Sequence, residues 1–383
     1  MATSEVVGVV GAGTMGAGIA QVASTAGCDV VLFDVRRELA DKGKERITAS
    51  LRKLAQGGKM SGDDAEAAIA RIAPTERLAD LGGAALVVEA VPETLDLKRR
   101  LFAELDGICA RDAVLATNTS SLSVGAIAAV TTAPERVAGM HFFNPAAILP
   151  LVEVVRAEQS AAATIERLVE ISRAWGKTPV RVRDTPGFIV NRVARPYYLE
   201  AFRMLEEGLA AIEAIDGALE GAGFRMGPGR LVDLIGMDIN WDVSCSVYEG
   251  FDRSPRFEPN PIQKRMRDEG RLGRKSGRGF YVYGEAPGRP EPSPAIDPAL
   301  AETIVLRTVG CIVNEAACAL GDGVAAADDI DVAMKLGTNY PKGPLAWGRE
   351  LGPDRIVAVL RRLGEGRPER YPIAPRLLEG NLQ

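Results

Sequence analysis

Short apolar runs alternate with longer stretches of mixed charge over the first 180 or so residues. Residues 5–10, 29–33, 85–88, 113–116 and 136–140 are rich in β-branched and small apolar side chains, the pattern of strands covered on both faces. Between them, residues 15–26, the charged stretch from Arg37 to about Ile72, and residues 95–109 carry apolar positions at helical spacing. This alternation predicts an α/β fold with a parallel, doubly wound sheet. The stretch after Phe33 is long for a single crossover, and Gly57-Gly58 interrupts it. Two helices forming a projecting hairpin are expected there.

The rhythm changes at Asp184-Thr185-Pro186-Gly187, after a last strand at 179–183. The remainder of the chain reads as all-α, beginning with one helix of about five turns over 188–207. Residues 282–294 are rich in Gly, Pro and Glu and read as a linker. Beyond it the chain echoes itself. Gly187-Phe188-Ile189-Val190-Asn191 resembles Gly310-Cys311-Ile312-Val313-Asn314. Each copy then reaches an Ile-Asp step (Ile215-Asp216, Ile330-Asp331) and a Gly-Pro step (Gly227-Pro228, Gly343-Pro344). One helical unit used twice, the second copy shorter, explains three landmarks in the same order; chance similarity between helical segments is the competing reading. The expected organisation is a sheet domain over 1–184, a helical domain over 185–283, a linker over 284–297 and a second helical copy over 298–383.

Composition narrows the partners. The 383 residues are 46% hydrophobic and 25% charged, with a formal net charge of -5, which is ordinary globular material and gives no reason to expect nucleic acid. Cys28, Cys109, Cys245, Cys311 and Cys318 are odd in number and form no CxxC pair, so neither a disulfide framework nor a metal site is expected. A reducing cytoplasm is the natural compartment. The first residues lack a basic n-region, and no run of about 18 apolar residues free of charge suggests a membrane span.

Chemistry enters at Gly11-Ala12-Gly13-Thr14-Met15-Gly16, a G-x-G-x-x-G that comes after a strand and opens a helix. Gly11 permits a tight turn, Gly13 lets backbone approach a pyrophosphate, and Gly16 lets the helix pack on the sheet. The helix start, with Thr14 and Met15, offers N–H groups and a positive dipole end to phosphates. Asp34 ends the second strand, where a carboxylate binds the ribose diol and repels a 2′-phosphate. The constellation predicts a Rossmann-type domain and NAD as cofactor, with Arg36 and Arg37 slightly softening the choice over NADP.

His141 is the only histidine, and it stands at a strand end, where open α/β sheets bind ligands. Oxidising an alcohol with NAD requires a group to take the hydroxyl proton, and imidazole suits that near neutral pH. The competing reading is a structural histidine. Glu153, inside Leu151-Val152-Glu153-Val154-Val155, either orients the imidazole or faces water from an edge strand. In Asn118-Thr119-Ser120-Ser121 a hydroxyl or amide either binds a substrate oxygen or caps the next helix. Asn191 either reaches a ligand or satisfies local backbone.

Together these segments resemble the L-3-hydroxyacyl-CoA dehydrogenase family. The resemblance is carried by Gly11–Gly16, Val87-Val88-Glu89-Ala90-Val91-Pro92-Glu93, Asn118–Leu122, His141-Phe142-Phe143-Asn144-Pro145, Leu151–Val155, Asp184–Arg192 and Gly273–Tyr281. It covers about residues 5–283, with the second helical copy as a family-style extension. It implies NAD-dependent, reversible oxidation of an (S)-3-hydroxyacyl-CoA to the 3-oxoacyl-CoA, with a short chain such as 3-hydroxybutyryl-CoA favoured. The resemblance implies His141 and Glu153 as a proton-transfer dyad, Ser120 on the substrate's 3-oxygen and Asn191 as an active-site asparagine. It places Asp34, Glu93, Lys98, Asn118, Ser120 and Asn144 near the cofactor or the substrate. The helical hairpin resembles a CoA-binding arm, with Ser50 and Lys59 as candidate contacts. Pro150 departs from the family, which commonly has lysine before Leu-Val-Glu-Val. Alternatives are a 3-hydroxyadipyl-CoA dehydrogenase, with Arg225 or Arg230 meeting the second carboxylate, a gulonate-type sugar-acid dehydrogenase, and an idle NAD-binding module of an assembly. Phe142, Phe143, Met226 and Met237 fit either a core or an acyl pocket. The resemblance implies a homodimer; the duplicated helical unit leaves a monomer open.

Overall fold

The computed structural model describes residues 5–284 and 296–383. The linker expected over 284–297 lies, except for its ends, outside the described residues. The chain forms two compact units, Met1–Thr185 and Pro186–Gln383.

The first unit is built on an eight-stranded sheet of order β3-β2-β1-β4-β5-β6-β7-β8. Its strands are β1 (Val6–Val10), β2 (Asp29–Phe33), β3 (Ile72–Thr75), β4 (Leu86–Glu89), β5 (Val114–Thr117), β6 (Val137–Phe142), β7 (Leu151–Arg156) and β8 (Thr178–Arg183). The helices are α1 (Thr14–Thr25), α2 (Arg37–Gln56), α3 (Gly62–Ala70), α4 (Leu95–Ile108), α5 (Val124–Ala128) and α6 (Ala162–Ala174). Alternate strand residues feed two separate cores. Val7, Val9, Leu32, Val88 and Met140 enter one, and Val10, Phe33, Val87 and Leu115 the other.

The sheet departs from the wholly parallel expectation at one place. β7 pairs with β6 antiparallel and with β8 in parallel. The reason is connection length: residues 143–150 carry no helix, and a parallel return needs a crossover of roughly a dozen residues. A strand missed by the sequence reading, β3, is short and contains Pro74, which an edge position tolerates. The helical hairpin breaks at Gly57-Gly58 as expected, but it does not stand free. Ile47, Leu51, Ala65 and Ala68 are buried in the same core as Ile19 and Ile72.

The second unit contains α7 (Val190–Val193), α8 (Arg195–Glu206), α9 (Ile212–Gly221), α10 (Pro228–Ile235), α11 (Met237–Gly250), α12 (Pro261–Asp268), α13 (Pro298–Gly321), α14 (Ala327–Thr338), α15 (Pro344–Leu351), α16 (Pro353–Leu363) and α17 (Pro375–Leu378). The single helix expected over 188–207 is two helices meeting at Ala194. Pro196 in the first turn of α8 has no N–H to continue the ladder. α13 packs against α7, α8, α9, α15, α16 and α17, so the second copy shares one compact unit with the first. Among the described residues α13 is the one helix long and apolar enough to cross a membrane, yet it is mostly buried within this unit.

The duplication is legible in hydrogen bonds. Asp216 accepts from the N–H groups of Gly229 and Arg230 at 2.8 and 3.0 Å, holding the start of α10. Asp331 accepts from those of Leu345 and Ala346 at 2.7 and 2.9 Å, holding the start of α15 in the same way. A Cβ on Gly227 would stand 2.4 Å from Asp216, and one on Gly343 2.3 Å from Asp331. The repeated glycine is what lets each aspartate reach its helix. The two copies also meet at matched positions: Arg192, next to Asn191, pairs at 2.6 Å with Glu315, next to Asn314. Contact between equivalent positions is the mark of a two-fold relation.

Asp216→Ala and Asp331→Ala should each lower stability, by about 1–2 kcal/mol for the lost helix cap. The Asp216 variant should suffer more, because Tyr281 donates to the same carboxylate at 2.8 Å. Urea denaturation of the two variants measures both effects; a neutral Asp331→Ala would contradict the cap's role.

Candidate active site

The chain leaves β1 into a turn that only glycine can make. Gly11 has φ +96°, and a Cβ there would lie 2.8 Å from the Ala90 carbonyl oxygen. At Gly16 a Cβ would meet the Gly11 carbonyl oxygen at 1.7 Å. Its bareness therefore closes the turn upon itself, rather than serving chiefly the helix–sheet packing expected from the motif. Beside Gly13 there is open space. α1 begins at Thr14 with no side-chain cap and no acidic residue in its first turn, so its N–H groups and dipole suit an anion. Met15 is partly buried and packs against the core.

Asp34 is locked beside this turn. Its Oδ2 accepts from Ala12 N–H and its Oδ1 from Val35 N–H, both at 2.8 Å. Arg37 is turned to Asp41 at 3.0 Å, which limits its pull on a 2′-phosphate. Two supporting residues escaped the sequence reading. Arg46 donates to the Ala12 carbonyl at 2.6 Å, and a Cβ on Gly43 would stand 2.8 Å from that of Ala12. Helix α2 thus braces the turn from outside, and a glycine inside a charged helix was the only available signal.

The antiparallel step in the sheet builds the dyad. β6 and β7 place His141 directly opposite Glu153. His141 Nδ1 lies 2.7 Å from Glu153 Oε2, and the glutamate is fully buried. β7 lies between β6 and β8, so the water-facing edge reading of Glu153 is excluded. Phe143 covers the imidazole with ring centroids 4.5 Å apart, whereas Phe142 is buried and stacks on Trp175. Pro150 precedes β7 and its carbonyl accepts from Thr178 N–H at 2.7 Å, so the missing N–H falls at a strand head and the register carrying Glu153 is kept.

The end of β5 is fixed from two sides. Asn118 Oδ1 accepts from Phe142 N–H at 2.8 Å, tying this loop to the histidine strand. Glu93 Oε1 accepts from the Thr119 hydroxyl at 2.5 Å and from the N–H groups of Ser120 and Ser121 at 2.9 and 3.2 Å. Neither serine caps α5; Ser123 does, accepting from Ala126 N–H. Burial alone would raise the Glu93 carboxyl, but the Lys98 ammonium and the Thr119 and Ser120 hydrogen bonds hold it below the usual glutamate range. Lys98 itself is only 1% exposed, set between Glu89 at 2.6 Å and Glu93 at 3.2 Å. Its ammonium is committed to these two carboxylates.

Other candidates lie elsewhere in their units. Asn144 is exposed in the loop after β6. Ser50 is half-buried on α2, and Lys59 is exposed at the hairpin tip between α2 and α3. Asn191 is half-buried in α7 of the second unit, where its carbonyl accepts from Arg195 Nε at 2.9 Å. Arg230 is buried, bonded to Glu220 and stacked over Tyr281, so it is committed to its own helix layer; Arg225 is exposed. Met237 is core.

A phosphate-ready helix start, a ribose-type carboxylate and an imidazole–carboxylate pair at strand ends define a dinucleotide-linked oxidoreductase. Comparison with known proteins makes this specific. The sequence profile of the 3-hydroxyacyl-CoA dehydrogenase NAD binding domain matches residues 6–185, and that of the 3-hydroxyacyl-CoA dehydrogenase C-terminal domain matches residues 187–283 and 304–382. A 3-hydroxyadipyl-CoA dehydrogenase of Escherichia coli K12 is 40% identical over 95% of this chain and 94% of its own. A 3-hydroxybutyryl-CoA dehydrogenase of Mycobacterium tuberculosis H37Rv is 44% identical over 72% of this chain and 98% of its own. The crystal structure of a 3-hydroxybutyryl-CoA dehydrogenase from Escherichia coli K12 superposes with a TM-score of 0.91 at 39% identity, covering 98% of both chains. The chain belongs to the 3-hydroxyacyl-CoA dehydrogenase family and is an NAD-dependent oxidoreductase.

Asp34→Ser should shift coenzyme preference toward NADP, with kcat/KM for NAD falling by about tenfold or more as the ribose hydrogen bonds and the repulsive charge are lost. Steady-state rates with the two coenzymes measure the ratio; an unchanged ratio would remove Asp34 from the cofactor site.

Proposed function

We propose that the chain oxidises short-chain (S)-3-hydroxyacyl-CoA to 3-oxoacyl-CoA, reversibly, with His141 as the proton-transfer group. The observation that carries this reading is the 2.7 Å bond between His141 Nδ1 and buried Glu153. With Nδ1 held there, Nε2 is the nitrogen that takes the proton of the 3-hydroxyl. The imidazolium that results is stabilised by the adjacent carboxylate, as in other base–orienter pairs. NAD, when bound along the glycine turn, supplies the hydride acceptor. Ser120, whose backbone is clamped by Glu93, presents its hydroxyl to the substrate oxygen. Asn144 lies along the cofactor, and Ser50 and Lys59 serve the CoA moiety. An idle binding module would have no use for a histidine and a glutamate paired inside a sheet at the cost of burying a charge.

A second reading is supported by one observation. The Escherichia coli relative that matches both helical copies carries the name 3-hydroxyadipyl-CoA dehydrogenase. A substrate with a terminal carboxylate would then be preferred over 3-hydroxybutyryl-CoA.

His141→Gln should lower kcat by about a hundredfold to ten-thousandfold while NADH still binds, as followed by nucleotide fluorescence. Turnover near the wild-type rate would remove His141 from the reaction. A comparison of kcat/KM for 3-hydroxybutyryl-CoA, 3-hydroxyadipyl-CoA and gulonate separates the substrates. The short unbranched acyl-CoA is expected to lead, a clear preference for the adipyl thioester establishes the second reading, and activity on gulonate alone overturns both.

A further inference from the structure

Lys177 is an anomaly that the reaction described above does not use. It sits just before β8, only 9% exposed. Its ammonium donates to the carbonyl oxygens of Ala146 at 2.6 Å and Leu149 at 2.9 Å. Among the described residues no carboxylate pairs with it. A lysine is almost never buried without a counter-ion, because desolvating the charge is expensive. Burial correspondingly lowers its pKa from the usual lysine range.

The two carbonyls belong to the turn that joins β6 to β7, the strands that carry His141 and Glu153. Within that turn the N–H groups of Ile148 and Leu149 both donate to the Pro145 carbonyl; Ala146 is buried in the core, whereas Ile148 is 73% exposed. On its other side the turn touches the dinucleotide helix. A Cβ on Gly18, two residues after Gly16, would stand 3.1 Å from the Ala146 Cβ. The ammonium therefore ties Ala146, which packs on α1, to Leu149 at the far end of the turn. Phe143 and Asn144 lie immediately before them, the first over the imidazole and the second exposed.

We propose that Lys177 is a positioning residue for the cofactor: its ammonium seats the 143–150 loop on α1 and so sets where Asn144 meets the dinucleotide. This rests on the reading of the glycine turn and Asn144 as the NAD site. A buried ammonium carries three donors and can span two carbonyls of one turn, which the methionine side chain, of similar shape, cannot.

The test is a double-mutant cycle on the intact protein, read by NADH binding through fluorescence and by KM for NAD and for acetoacetyl-CoA. Lys177→Met keeps the stem and removes the donors. It should weaken NADH binding about tenfold. The KM for acetoacetyl-CoA should stay within about twofold, a split that general loss of stability would not produce. Asn144→Ala should show the same NADH defect, and the double variant should be no worse than either single one, since both act through one loop. Wild-type NADH affinity in folded Lys177→Met overturns the proposal, as do additive losses or equal losses for both ligands. Should Lys177→Met not fold, Lys177→Arg serves instead. Its larger head must displace the two carbonyls, so it too should weaken NADH selectively, and unchanged affinity overturns the proposal. Failure of the wild type to bind NADH would instead overturn the reading of the cofactor site.

Discussion

A carboxylate placed inside a sheet must find a partner, and Glu153 finds His141. Their 2.7 Å contact joins adjacent strands at matched register positions. Its existence depends on β7 running against β6. With only residues 143–150 between the two strands, a parallel β7 is not available, because a parallel return needs a crossover of roughly a dozen residues. The short loop between the strands is thus part of the chemistry. Its brevity enforces the antiparallel return, and the return aligns the dyad.

Around this pair the first unit uses buried charge to hold irregular backbone in place. Glu89, Lys98 and Glu93 form a chain of ion pairs that ends on the N–H groups of Ser120 and Ser121. Asn118 ties the same loop to β6. Lys177 plays the corresponding part for the loop beyond His141. Such pairs add little net stability once desolvation is counted. Their value is geometric: each ties down a segment of loop backbone between the strands and helices.

The helical unit is organised differently. One solution, an aspartate reaching a helix start past a glycine, appears at Asp216–Gly227 and again at Asp331–Gly343. Where the copies meet at equivalent positions they have diverged to opposite charge, Arg192 against Glu315. Two arginines there would repel within a buried layer. Sequence divergence at that one point lets a repeated structure pack on itself.

Neighbouring residues alone specified the alternation of strands and helices, the glycine turn with its carboxylate at Asp34, the duplicated helical landmarks, and the histidine and glutamate that stood out as candidates for the chemistry. These are local properties: periodicity, turn conformation and the cost of a charge in an apolar run are all written within a few positions of one another. The direction of β7 and the break at Ala194 follow from local features, a short connection and Pro196, that periodicity alone does not weigh, while the inward packing of the helical hairpin and the burial of Lys98 and Lys177 were settled only by folding. So was the choice of Ser123, and not Ser120 or Ser121, as the cap of α5, and the commitment of Arg230 to its own layer. The contacts that folding settled turn on partners in other elements, 28 residues apart for Lys177 and Leu149, or on a choice between equally good local hydrogen bonds. Local periodicity does not say which of these groups will meet, because that depends on how the elements pack, so only the folded chain decides it.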